Sequence, residues 1–414
     1  MNAEPIDEHL AAGSERSREL PVVVIGGYEY SPAMNQISTM MVRELVHRRR
    51  VLYLNQEAHG ALLRRVQGRA RQLGPRDVVR TALGPIRPRR VEESLWLAPV
   101  RGLAAIGPLD VPETMRRRNV RLFARIIREW LADVGAPECT LLFYWWALPE
   151  LVGALPCAAS AYDCTDDHAS APGSVRRASV VNRLESRLLD AVDHAYVVSP
   201  TLLESRAESR RSVSVLPSPF DLALFERLER EGFVVPPSLR SVRHPVIGYA
   251  GGITSRMDWE LLTELARRRP DWTLAFIGSD GRGAPAELVE LANVVFAGTM
   301  PYPQALAAIS SFDVGMIPVR VTEFSRANSF LKLMDYFAHG LPTVATPVPD
   351  TADAAAVGDD AVYLADGVDA WERAVEQALA EAPDAPIRAA RRARVSERST
   401  TRRVDRILSE AFAR

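Results

Sequence analysis

The chain has 414 residues, 47% of them hydrophobic and 25% charged, which is globular composition at a length that suggests two or three domains and excludes a disordered protein. Fifty-one basic residues stand against fifty-two acidic ones, so no overall basic field points to a nucleic-acid partner. Three cysteines, Cys139, Cys157 and Cys164, with no Cys-x-x-Cys pair, fit a reducing cytoplasm better than a disulfide frame.

Residues 1–20 are polar and acidic and lack the basic start and apolar core of a secretory signal, so a flexible tail is expected. From Pro21 short β-branched runs alternate with helical stretches, the pattern of parallel sheets covered by helices. The first strand is expected at Pro21 to Ile25. Gly26 and Gly27 then break the chain, a helix runs from about Gln36 to Arg48, and a second strand follows at Val51 to Asn55. The stretch from Ala61 to Trp130 holds sixteen arginines against six acidic residues. Inside it, Thr114 to Leu131 sets Val120, Phe123, Ile126, Ile127 and Trp130 among six arginines, an amphipathic basic helix that reads either as a solvated face or as a surface for anionic membrane. Cys139 to Tyr162 is apolar, but Glu150, Pro149 and Pro156 divide it into two buried strands with a short helix between, rather than a membrane span. Further strands are expected at His194 to Val198 and Val213 to Pro217.

Val234 to Ser238 reads as a linker, and a second series of strands follows at Val246 to Ala250, Thr273 to Ile277, Asn293 to Phe296, Val314 to Pro318, Pro342 to Ala345 and Ala361 to Leu364. The fold class is thus α/β, two Rossmann-like doubly wound domains, with boundaries expected at 21–232 and 233–386 and a helical segment over 387–414.

Lys332 is the only lysine among the fifty-one basic residues; a bias toward arginine explains the excess but not the exception. A helix from about Ser329 to His339, with Asn328 as N-cap and Gly340 and Pro342 as stop, places Asn328, Lys332 and Asp335 on one face. A lysine in the first turn sits at the positive end of the helix dipole, which a bound phosphate would relieve; Asp335, one turn on, suits ribose hydroxyls. The alternative is a surface Lys332–Asp335 ion pair. Upstream, Gly251 and Gly252 follow a strand and allow close approach of a ligand, and Arg256 beyond them suits a diphosphate, although a glycine turn of this kind also serves purely structural ends. Asp163, Asp166, Asp167 and His168 follow another strand, at the sheet edge where doubly wound folds bind ligands; loop carboxylates of this kind also cap helices or hold a metal.

Jointly these motifs resemble the glycosyltransferases of GT-B fold, in the large retaining group that builds bacterial surface polysaccharides, of the teichuronic-acid and exopolysaccharide type. The family's Pro-Leu-Lys-x-x-Glu-Tyr-Leu-Ala-x-Gly-x-Pro-Val segment is matched by Ser329 to Val344, and its Pro-Asn-Gly-Val-Asp is matched loosely by Pro217 to Asp221. The resemblance implies a nucleotide-diphosphate sugar as donor, bound by the second domain through Gly251, Gly252, Arg256, Asn328, Lys332 and Asp335, with Arg256 and Lys332 meeting the leaving diphosphate. It implies an acceptor, a glycan or lipid-linked glycan, on the first domain, with Gly27, Glu29, Tyr30, Asp166, Asp167 and His168 facing it and Asp163 beside the reaction. It further implies retention, no metal and no cofactor, and a last helix crossing back to the first domain; the basic amphipathic stretch up to Trp130, placed in that acceptor domain, leads us to expect a cytoplasmic enzyme in peripheral contact with anionic membrane. One departure stands out: the family often carries a glutamate eight positions before the ribose carboxylate, and here that position is Ala327. A sugar-nucleotide epimerase of the same fold, and a catalytically silent partner protein, are the alternatives.

Overall fold

A computed structural model describes residues 20–56, 87–100, 113–170, 175–206, 213–278, 283–356 and 361–413. The expected tail and much of the arginine-rich stretch lie outside them. Strands β1 (Val22–Ile25), β2 (Val51–Gln56), β3 (Arg89–Glu92), β4 (Leu95–Val100), β5 (Cys139–Phe143), β6 (Cys157–Cys164), β7 (His194–Val197) and β8 (Val213–Val215) form one sheet in the order β3-β4-β2-β1-β5-β6-β7-β8. All its pairings are parallel except β3 with β4. The second sheet, wholly parallel, joins β9 (Val246–Ala250), β10 (Thr273–Ile277), β11 (Val294–Gly298), β12 (Val314–Ile317), β13 (Thr343–Ala345) and β14 (Tyr363–Leu364) in the order β11-β10-β9-β12-β13-β14.

Strands buried on both faces need apolar residues at every position, and β1, β5, β9 and β10 are buried throughout. In the second sheet the alternation separates two cores. Val246, Ala250, Ala275, Ile277 and Ala345 join one apolar cluster, while their neighbours Ile247, Tyr249, Leu274, Phe276 and Val344 join another.

Several elements differ from the sequence reading. Strands β3 and β4 are not foreseen, because β3 is an exposed edge strand rich in arginine whose pairing, not its own apolarity, makes it a strand. The basic helix spans Glu113–Asp133, and its apolar stripe of Val120, Phe123, Ile126, Ile127 and Trp130 is buried in the first core. That stripe is therefore closed to lipid; the outward side carries Arg117, Arg118, Arg121, Arg125 and Arg128 together with Glu113, Glu129 and Asp133. The expected linker includes a short helix, Pro237–Arg240. The last segment is two helices, Pro386–Glu397 and Thr400–Glu410, broken where Ser399 accepts the amide of Arg402 and Phe220 exchanges backbone bonds with Arg398 and Thr400. Val404 and Ile407 of the second helix lie in the core of the first sheet.

Candidate active site

Both sheets turn their carboxyl edges toward one cleft of about 740 Å3, within the range of small-molecule sites. Turns after β1, β5 and β6 bring Tyr28, Tyr144, Asp166 and His168 to one wall; turns after β9, β10 and β11 bring Gly251, Gly252, Gly278 and Thr299 to the other.

On the second wall the backbone is drawn tight. The Gly251 amide donates to the Ile277 carbonyl at 2.9 Å, and a Cβ on Gly278, where φ is +157°, would lie 1.9 Å from the Gly251 oxygen. Gly251 itself has φ +145°, and a Cβ there would meet Lys332 Cε at 3.0 Å, so the lysine runs directly over bare backbone. Its ammonium lies 5.1 Å from the ring centroids of Tyr249 and of Phe330. Arg256 is held the same way, 4.7 Å over the Phe324 ring, with its Nε donating to Thr254 Oγ1. Two cations thus rest on aromatic faces beside the glycine turn.

Lys332 is the second residue of a helix that spans Leu331–Ala338, not Ser329 to His339. Asn328 is not its N-cap. A shorter helix, Glu323–Ala327, comes first, opened by a reciprocal Thr322–Ser325 capping box, and Asn328 ends it in extended conformation while still lining the cleft. The amide of Phe330, at the true start, is met by Asp350 Oδ2 at 2.8 Å, a residue the sequence reading gave no role. Gly340, at φ +65°, follows the helix as anticipated.

Asp335 lines the cleft but makes no surface ion pair with Lys332. It is 5% exposed and its Oδ1 accepts the Tyr302 hydroxyl at 2.8 Å. Burial raises its carboxyl to about 7, with the Tyr302 hydrogen bond and the Lys332 charge acting against the rise.

The first wall is less as expected. Glu29 is exposed and outside the cleft lining, and Tyr30 is a core residue with its ring 5.5 Å from that of Tyr53. Gly27 is not among the lining residues either, and a Cβ there would stand at ordinary contact, 3.5 Å, from the Tyr144 carbonyl oxygen; the residue between it and these two, Tyr28, is the one that lines the cleft. Asp166 and His168 do line it. Burial raises the Asp166 carboxyl, offset by the nearby charges of His168 and Arg256. The imidazole leans on Trp146, with centroids 6.4 Å apart, and the His168 carbonyl accepts Arg177, another cleft residue. Asp167 turns away: burial alone would raise its carboxyl, but hydrogen bonds from Ser170 and Arg206 outweigh this and lower it. Adjacent residues on an extended turn point apart, which sorts the pair.

Asp163 is not at the cleft. It is fully buried on β6 and pairs with Arg403 of the last helix at 2.5 Å, while the same guanidinium donates to the carbonyls of Leu216 and Pro217. Its work is to hold the chain's end on the first sheet. Ala327 also has a structural place, buried in the first core with its carbonyl accepting Ser199 Oγ at 2.8 Å. Among the described residues no three His, Cys, Asp or Glu side chains gather as a metal site, and no helix is long and apolar enough to cross a membrane.

Known proteins share both the arrangement and part of the sequence. Residues 244–381 match the family described as Glycosyl transferases group 1. This group 1 segment contains the glycine turn, Arg256, Lys332 and Asp335. A curated relative, the putative teichuronic acid biosynthesis glycosyltransferase TuaH of Bacillus subtilis (strain 168), is 26% identical over 238 residues, 53% of this chain; the chain spans 58% of that relative's length. Among solved structures, sucrose-phosphate synthase from Thermosynechococcus elongatus superposes with a TM-score of 0.66 at 16% identity, covering 94% of this chain and 98% of that one. The UDP-forming alpha,alpha-trehalose-phosphate synthase from Burkholderia xenovorans, in complex with glucose-6-phosphate, gives 0.65 at 9% identity, covering 94% and 99%. At such identities the likeness is one of fold: two Rossmann-like halves facing a cleft, the GT-B arrangement. The group 1 segment ends before the last two helices, so the Asp163–Arg403 pairing lies outside it.

Proposed function

We propose that the chain is a glycosyltransferase that moves a sugar from a nucleotide-diphosphate sugar to a hydroxyl acceptor. The observation that carries this is the convergence of Lys332 and Arg256 on the glycine turn, both on aromatic rings. A diphosphate placed against the Gly251–Gly252 backbone would take both cations, and their charge would stabilise the phosphate as it leaves. Asp335 suits the ribose hydroxyls. The sugar would then point across the cleft at Tyr28, Asp166 and His168, where an acceptor hydroxyl can approach.

With the diphosphate itself available to accept the hydroxyl's proton on the face it leaves, transfer would retain configuration without a carboxylate nucleophile and without a metal. The teichuronic acid relative supports a surface-polysaccharide acceptor, glycan or lipid-linked. Five arginines on the outer side of the Glu113–Asp133 helix, Arg117, Arg118, Arg121, Arg125 and Arg128, favour work at the anionic cytoplasmic face of a membrane. Ala327 favours a second reading, a silent partner protein, since the position where relatives carry a carboxylate is spent on packing.

Thermal melts against UDP, GDP, dTDP, ADP and CMP separate the two. A ligand at one hundred times its Kd adds about 2.7 kcal/mol. One diphosphate should raise the melting temperature of the wild type and leave that of Lys332→Ala unmoved. No shift with any of them would sink the transferase reading and favour the silent partner.

A further inference from the structure

Tyr302 touches both halves of the cleft with different atoms. It opens the helix Tyr302–Ile309 on the second half, and its backbone N–H donates to the Ala33 carbonyl, in the loop between β1 and the Ile37–Leu45 helix of the first half, at 2.7 Å. Its hydroxyl, fully inside the protein, donates to Asp335 Oδ1 at 2.8 Å. The ring between these ends lies in the second core, so the phenol has no freedom to swing. A desolvated carboxylate is costly to leave without a donor, and this phenol supplies one.

We propose that Tyr302 is the positioning residue of the donor site: anchored through its backbone on the acceptor-side loop, it aims the Asp335 carboxylate at the nucleotide's ribose, and does so when the two halves are in contact. This rests on the transferase reading above. The other charged and titratable groups around the pair are Lys332 on the carboxylate's own helix, Arg43 and Asp221, which pair with each other at 2.7 Å beside Tyr302, and the phenol of Tyr336. None of them replaces the Tyr302 hydroxyl, because none donates to Asp335.

The test is titration calorimetry with whichever diphosphate of the panel stabilises the wild type. Tyr302→Phe keeps the ring and the backbone bond and removes only the hydroxyl. It should weaken binding roughly tenfold, the worth of a hydrogen bond to a charged group, and move the pH midpoint of binding upward, because the carboxylate loses a donor that favours its charged form. Added to Asp335→Asn it should weaken binding no further. Equal affinity and an equal midpoint in Tyr302→Phe would overturn the proposal while leaving the transferase reading intact; a wild type that binds no diphosphate overturns both. Should Tyr302→Phe not fold, the wild type decides: its affinity should climb from pH 5.5 to 8.5 and Asp335→Asn should flatten that climb, and a flat wild-type profile rejects the role.

Discussion

Asp335 carries its carboxylate out of water onto one phenol and one distant ammonium, and its carboxyl titrates near 7 instead of near 3.8. The folded state therefore holds this proton at pH values where the unfolded chain has released it, so the stability it contributes is complete below about pH 4 and is lost as pH rises through 7. Asp335→Asn removes the group that has to stay neutral and should stabilise the protein by on the order of 4 kcal/mol at pH 8, with little effect at pH 4, while weakening nucleotide binding. Denaturant melts at the two pH values check this; a difference that does not change with pH would mean the carboxyl is not held neutral. The spacing in the sequence was enough to set Lys332 and Asp335 on the cleft side of a helix. It could not show that Tyr302, far upstream, occupies the carboxylate, nor that Asp350 rather than Asn328 meets the helix start, because both partners arrive through tertiary contact.

The amphipathic helix Glu113–Asp133 was legible as a helix from its period, and its apolar stripe could equally have faced lipid or core. Burial settles that in favour of the core, with Trp130 edge-on to Trp96 of β4, ring centroids 5.7 Å apart. What remains outward is charge. Arg116 turns inward to Glu150; on the exposed side Arg117 pairs with Glu113, Arg125 lies near Glu129 and Arg128 donates to the Ala154 carbonyl, with Arg118 and Arg121 exposed beside them. Arg118→Glu with Arg121→Glu should lower the affinity for vesicles rich in anionic lipid, read by co-sedimentation at low salt, about thirtyfold or more, at about 1 kcal/mol per arginine lost, without moving the melting temperature. Unchanged sedimentation would remove the membrane from the account. Strands with continuous apolar runs, such as β1, β5 and β9, could be read directly, since burial on both faces leaves no other composition. The exposed edge strand β3 could not, because a neighbour defines it.

For the molecule as a whole, the chain's end is a structural fastening. The Thr400–Glu410 helix returns to the first sheet, where Arg403 meets Asp163, Arg48 meets Asp405 and the Tyr196 hydroxyl meets Glu410. A buried pair of this kind gains little over an apolar replacement, but losing one partner strands a charge. Asp163→Ala should therefore destabilise the fold by about 3–5 kcal/mol in urea melts, and any loss of transfer should follow the unfolded fraction. A folded, stable Asp163→Ala with transfer abolished would return Asp163 to the chemistry.

Alternating apolar runs and helical periods, glycine at the turns and the lone lysine on a helix start are local properties, and from them the α/β class, the two sheets and the placement of Gly251, Arg256 and Lys332 on one wall of the cleft were legible. Which side chains reach the cleft was decided only by the tertiary structure. Neighbouring residues on a turn, such as Asp166 and Asp167, or Tyr28 and Tyr30, differ in direction and not in chemistry, and direction depends on what packs against them from elsewhere in the chain. Asp163 makes the same point: its role rests on Arg403, 240 positions away, a distance over which no pattern in the sequence carries information about contact.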